Sequence, residues 1–174
     1  MNQKRRKAFT LVELIIVIII LGILAALAIP QFVTSTTEAQ EATLKANLQV
    51  MRNAINLYYH QHRSTYPGAV KTDGTGTATV DADNPDAFVK QLTSFTNDMG
   101  KISATLDRTN YPCGPYIMTA IPASPVSRTG TSVNVVKVTN DAGAMTADGT
   151  TGWMYSKQTG QIIANETNAK YSAL

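Results

Sequence analysis

The chain has 174 residues, with 15 Lys and Arg against 12 Asp and Glu, and a single cysteine. That length accommodates one domain with a modest core, and a lone Cys113 excludes an intrachain disulfide, a thiolate zinc cluster and CxxC redox chemistry within one chain. Four of the 15 basic residues are Lys4, Arg5, Arg6 and Lys7; without the first eight residues 11 basic side chains face 12 acidic ones, so the net charge of +3 belongs to a short leader and no basic patch argues for nucleic acid.

After the leader MNQKRRKA comes FTLVELIIVIIILGILAALAIPQF, whose 21 residues from Phe9 to Ile29 carry one charge, Glu13. As a helix they rise roughly 31 Å, which matches a hydrocarbon core of about 30 Å. The basic leader is expected to stay on the cytoplasmic side, placing the rest of the chain across the membrane. A secretory signal peptide also begins this way, and Ala26-Leu27-Ala28 supplies an A-x-A site before Ile29. The apolar run exceeds the h-region length of about 7–15 residues, and an acid inside it is foreign to such a region. An acidic group in a spanning helix costs about 2.5–3.5 kcal/mol. Either Glu13 is hydrated near the headgroups, or it has a partner. An amine released at Phe9 by cleavage after Ala8, in the same chain or a neighbouring copy, is a suitable one.

The short basic leader, the small Ala8 before Phe9, the FTLVE run, Gly22 and Pro30 resemble the cleavage and methylation segment of type IV pilins and type II secretion pseudopilins. The resemblance implies cleavage between Ala8 and Phe9 by a prepilin peptidase, N-methylation of Phe9, and a need for Glu13 in subunit incorporation. The family usually carries Gly where this chain has Ala8. The resemblance also implies a homo-oligomeric helical filament, with an inner-membrane platform protein, an assembly ATPase and minor pseudopilins as partners. The implied precursor is a single-pass protein of the bacterial cytoplasmic membrane with its globular part in the periplasm.

Beyond Pro30, Leu44, Leu48, Met51, Ile55 and Tyr58 recur at helical spacing and form one apolar stripe. One helix is expected from near Phe9 to near Tyr59, lipid-soluble at 9–29 and amphipathic at 30–60, with its stripe packed on the C-terminal domain of the same chain. Gly22 and Pro30 are its weak points, since glycine lowers helix propensity and Pro30 cannot bond the Ala26 carbonyl. The resemblance implies that Ile23 to Ile29 loses helicity in assembled filaments.

Tyr66-Pro67-Gly68 is expected to close this helix, and residues 61–174 to form the globular part. KTDGTGTATVDADN reads as an exposed loop. Asn84 and Pro85 start a short helix ending near Gly100, with Phe88, Leu92 and Phe95 on one face. Val133, Val135, Val136 and Val138 read as a strand, and Gly152 to Tyr155 and Gln161 to Ala164 as a hairpin around Lys157-Gln158-Thr159-Gly160. The fold class expected is α+β and pilin-like: a long N-terminal helix packed against a small antiparallel sheet. GWMYSKQTGQIIAN and LYYHQHRSTYPG are similar to globular parts of major pseudopilins. Many adhesive pilins close a C-terminal loop with a disulfide, which Cys113 alone cannot do.

No phosphate loop, GxSxG elbow or HExxH pair occurs, so no catalytic residues are expected. His60 and His62 are expected to be solvated on different faces near the helix end. Several major pseudopilins bind calcium through C-terminal loops bearing Asp. Asp141 and Asp148 lie in such a loop, yet their spacing matches no oxygen cage, and loop solubility is the expected role; no cofactor is expected, with calcium as the open alternative. Trp153, Tyr58 and Tyr59 are expected to pack between sheet and helix. The function expected is a structural filament subunit, most like a type II secretion major pseudopilin. The alternatives are a type IV or competence pilus subunit, a secreted binding module, and an anchored periplasmic enzyme.

Overall fold

The computed structural model describes residues 10–78, 84–126 and 134–174, apart from the side chains of Pro30, Val33 and Asn84. The whole expected leader with Ala8, Phe9, Val133 and the capping side chain of Asn84 lie outside the described residues. Two compact units result, one up to Ala39 and one over Gln40–Leu174. Helix α1, Leu11–Gln61, contributes to both.

In the first unit, α1 is helical at Gly22 and through the backbone of Pro30. A Cβ built on Gly22 would meet nothing within 4 Å. Among the described residues nothing therefore demands glycine there.

In the second unit, α1 supplies the spine of the core. Leu44, Leu48, Met51, Ile55 and Tyr58 are buried as the periodicity predicts. They join Trp153, Tyr155 and Ile162, and Phe88 and Leu92 of a second, short helix, in one cluster. Helix α1 stops earlier than Tyr66 because Arg63 and Ser64 turn left-handed, at φ 52° and 57°. The Ser64 N–H returns to the Tyr59 carbonyl at 3.2 Å, closing the last turn.

Helix α2, Asn84–Thr93, also ends before its predicted limit. Phe95 leaves the helical face and enters strand β1, Phe95–Thr96, which pairs antiparallel with β2, Ile102–Ser103. Gly100, at φ 82°, makes the turn between them. A Cβ there would lie 2.7 Å from Tyr58 Oη and from a Val70 methyl, so backbone conformation and space both require glycine.

The main sheet has the order β3 (Val136–Thr139), β4 (Trp153–Ser156), β5 (Ile162–Ala164). The predicted hairpin is β4 and β5, antiparallel, with Tyr155 opposite Ile162. In one pairing the sheet departs from the all-antiparallel expectation: β3 runs parallel to β4, with Val136 opposite Trp153. The intervening segment 140–152 explains this, since it reaches the dozen or so residues that a crossover needs. Central strand β4 is buried at every position. Trp153 Nε1 donates to the Pro122 carbonyl at 2.7 Å and Tyr155 Oη to that of Pro67 at 3.0 Å, so both rings sit in the core with their polar ends partnered.

Two polar clamps hold the loops on this core. Gln91, fully buried on α2, accepts from the Gly68 N–H at 2.7 Å and donates to the carbonyls of Gly100 at 2.9 Å and Val70 at 3.2 Å. Asp148 fixes the crossover. Its Oδ1 accepts from Asn165 Nδ2 at 2.7 Å and Thr150 Oγ1 at 2.7 Å, and its Oδ2 pairs with the Lys137 ammonium on β3. Asn165 in turn accepts from the Asp148 N–H at 2.8 Å. The Lys137 ammonium first, then the Thr150 and Asn165 donors, hold the Asp148 carboxyl well below its usual range.

Gln91→Leu strands the Gly68 N–H and the carbonyls that Gln91 serves. Each buried orphan costs about 1–3 kcal/mol, so the urea midpoint of the chain in detergent micelles, read by Trp153 fluorescence, should fall by at least about 2 kcal/mol in free energy. Asp148 yields a pH signature. Its folded pKa lies below its unfolded one, so its stabilisation is complete above the usual value of 3.8 and is lost as pH falls towards the folded value. Asp148→Asn should lower the melting temperature at pH 7 and flatten its fall below pH 4. An unchanged acid limb would remove Asp148 as its source.

Candidate assembly surface

Described side chains from Leu11 to Ile29 are all exposed. The large ones run from Ile15 at 42% exposure to Leu11 at 73%. Among the described residues, α1 is the one helix long and apolar enough to cross a membrane. The surface is apolar on every face rather than along a stripe, which is how a helix surrounded by nonpolar material reads.

The one carboxylate in this surface, Glu13, sits in the first turn of α1. Its Oε2 accepts from the Thr10 N–H and the Thr10 hydroxyl, each at 2.8 Å, while the Glu13 N–H donates to Thr10 Oγ1 at 3.3 Å. Side chain and backbone thus cap each other across three residues, the capping box of a helix start. Glu13 thus has a partner in its own chain besides the expected amine, and the spelling Thr10-x-x-Glu13 is the S/T-x-x-E signature of that box. The box satisfies helix donors that would otherwise face the membrane unpaired. It leaves Glu13 Oε1 free of these bonds, able to accept from a further donor.

The other residues singled out from sequence do not converge on this surface. His60 is exposed as expected, but His62 is buried, a correction to the solvated reading. His62 stacks on Tyr58 with ring centroids 3.6 Å apart, because it follows Tyr58 by four residues and so continues the buried stripe of α1. Tyr59 stacks on Tyr66 at 4.4 Å. Asp148 is a structural clamp rather than a solubilising loop residue, and a cation there would have to displace Lys137 and two hydroxyl and amide donors. Among the described residues no cluster of three or more His, Cys, Asp or Glu is placed to hold a metal. Cys113 is half-buried, with its backbone bridged to Thr96, and burial raises its thiol pKa, which disfavours the reactive thiolate. No signal in the sequence marked Gln91, since a buried glutamine is defined by the loops that converge on it.

Comparison with known proteins bears on the apolar helix first. The prokaryotic N-terminal methylation motif matches residues 3–29. The type II secretion system core protein G of Pseudomonas aeruginosa is 31% identical over 97 residues, 53% of this chain and 68% of that protein. The type IV narrow pilus major component PilA5 of Thermus thermophilus is 50% identical over 50 residues, 29% of this chain and 43% of that protein. A fimbrial protein of Neisseria meningitidis serogroup B is 44% identical over 75 residues, 42% of each chain. The chain thus spans about two thirds of the first relative and under half of the other two. No solved structure matches the chain. An apolar helix with an acid in its first turn, a methylation motif over the same residues, an α+β globular unit and this set of relatives agree: the chain belongs to the type IV pilin-like family of filament subunits.

Proposed function

We propose that this protein is the major pseudopilin of a type II secretion system, the repeating subunit of a filament that drives protein export. The observation that carries this reading is the uncovered apolar surface of Leu11–Ile29 with one acid in it. Such a surface needs lipid before assembly and copies of itself afterwards. The choice of secretion over a surface pilus leans on the similarity to the Pseudomonas core protein G, which extends over 68% of that protein. The absence of a second cysteine points the same way.

On this reading the subunit waits in the cytoplasmic membrane with Lys4 to Lys7 inside and residues 61–174 in the periplasm. Prepilin peptidase cuts between Ala8 and Phe9 and methylates Phe9. The assembly ATPase, platform protein and minor pseudopilins then act on the mature subunit. Glu13 sets the register: an amine at Phe9 of a neighbouring copy gives its carboxylate a charged partner in a low-dielectric core. Gly22 and Pro30 are where α1 yields if the packed filament demands it, since both weaken the helix. The subunit catalyses nothing and uses no cofactor in this role.

A type IV pilus subunit is the second reading, favoured by the 50% identity to PilA5 over 50 residues. Imaging separates them: filaments confined to the periplasm at native expression support the pseudopilus, and long surface filaments support the pilus.

The mature chain purified from membranes should begin at methylated Phe9 by mass spectrometry; a start at Ile29 contradicts the reading outright. Glu13→Ala should leave membrane insertion intact and reduce filament yield at least tenfold, whereas Glu13→Asp, which keeps the charge, should restore part of it. Undiminished assembly of Glu13→Ala would contradict the register role.

A further inference from the structure

His62 follows directly on α1 and faces β1, and each nitrogen of its buried ring has a partner. Nδ1 lies 2.8 Å from the Tyr58 carbonyl, an acceptor only, so Nδ1 carries the proton. Nε2 lies 3.0 Å from Thr96 Oγ1 and in the neutral ring accepts from that hydroxyl. The ring is parallel to Tyr58 within 3°. His62 therefore ties the last turn of α1 to β1, whose Thr96 exchanges both backbone bonds with Cys113 at 2.9 and 3.0 Å.

The two residues after His62 are left-handed without being glycine, a strained conformation that persists where neighbours enforce it. The Ser64 N–H bond to Tyr59 and the Thr65 N–H bond to the His62 carbonyl hold this turn, next to the anchors of the ring on Tyr58 and Thr96. Loss of the ring contacts therefore also loosens a turn that local preference resists.

We propose that His62 is an acid-released latch that fastens the end of α1 to β1 and the Cys113 segment in the globular unit.

A second proton on the ring makes both nitrogens donors. Thr96 must then turn its hydroxyl to accept, and its own proton loses the Nε2 acceptor. The groups facing the ring do little to host the charge. Tyr58 lies beneath it, Tyr116 is edge-on at 6.1 Å, Cys113 is bridged to Thr96, and Asp98 is already paired with Arg63. Burial pushes the imidazole below its usual 6.5; the bonds to the Tyr58 and Asn97 backbone and the Asp98 charge oppose this with smaller effect. The folded value lies below the unfolded one, so the latch is fully fastened above pH 6.5 and loosens as pH falls towards the folded value. A cleft of about 170 Å³, lined by His62, Tyr58, Arg63 and Asp98 among others, gives solvent an approach.

Hydrogen exchange of the full chain in detergent micelles, at pH 7.5 and pH 5.0 and corrected for intrinsic exchange, tests this. Protection of the Ser64, Thr65, Thr96 and Cys113 amides should fall by up to about tenfold for each pH unit below 6.5 until the folded value is reached. The β4–β5 hairpin should keep its protection. In His62→Gln, which stays neutral, the acid-induced loss at those four amides should vanish. Constant protection in the parent chain, or an equal acid loss in His62→Gln, overturns the latch. If His62→Gln does not fold, NMR titration of the His62 ring in the parent chain decides: a midpoint below 6.5 supports the proposal and one at or above 6.5 overturns it.

Discussion

Everything in this chain answers to an apolar helical surface that has no place in water. Burying one large aliphatic side chain is worth about 1.5–3 kcal/mol, and Leu11–Ile29 holds more than a dozen of them, on the order of tens of kcal/mol. A domain is net stable by about 5–15 kcal/mol, so this surface cannot be left to solvent at the expense of the rest. Lipid satisfies it, and so do other copies of the same helix. Lipid tails are as apolar as leucine, so hydrophobicity alone does not move the helix from one host to the other. Packing and polar contacts have to decide, and Glu13 is the polar group present.

The capping box gives that acid a second aspect. In a lone chain Glu13 is tied to Thr10 and ends the helix cleanly. The tie satisfies backbone donors but brings no positive charge, so the ionised carboxylate still gains from a cation. A residue with a tolerable position in the monomer and a better one in the assembly can bias association while still allowing membrane insertion. On the proposed reading, the same few atoms would serve both states.

Much of the globular unit was legible because periodicity reports burial directly. The α1 stripe, the Phe88 and Leu92 face of α2 and the β4–β5 hairpin around Gly160 follow from spacing and turn chemistry. Three features were hidden for physical reasons. The parallel pairing of β3 depends on where a polar crossover is pinned, and the pin is the Asp148–Asn165 contact across 17 positions of sequence. The burial of His62 is completed by a contact distant in sequence, its Nε2 meeting Thr96 Oγ1 at 3.0 Å across 34 positions. The early end of α2 depends on Gly100, which lets Phe95 pair with Ser103 instead of continuing a helix. At the assembly surface the apolar span and its acid were plain in the sequence. The bond between Thr10 and Glu13 is equally present in the spelling Thr10-x-x-Glu13.

The most direct measurement places a photo-reactive diazirine side chain at Ile18, mid-surface, and identifies its adducts by mass spectrometry. Lipid adducts from membranes and adducts to the Leu11–Ile29 segment of other copies from isolated filaments are predicted. Dominant adducts with water in both preparations, or with the globular unit of the same chain, would contradict the view that this helix exists to be covered by lipid and then by its own kind.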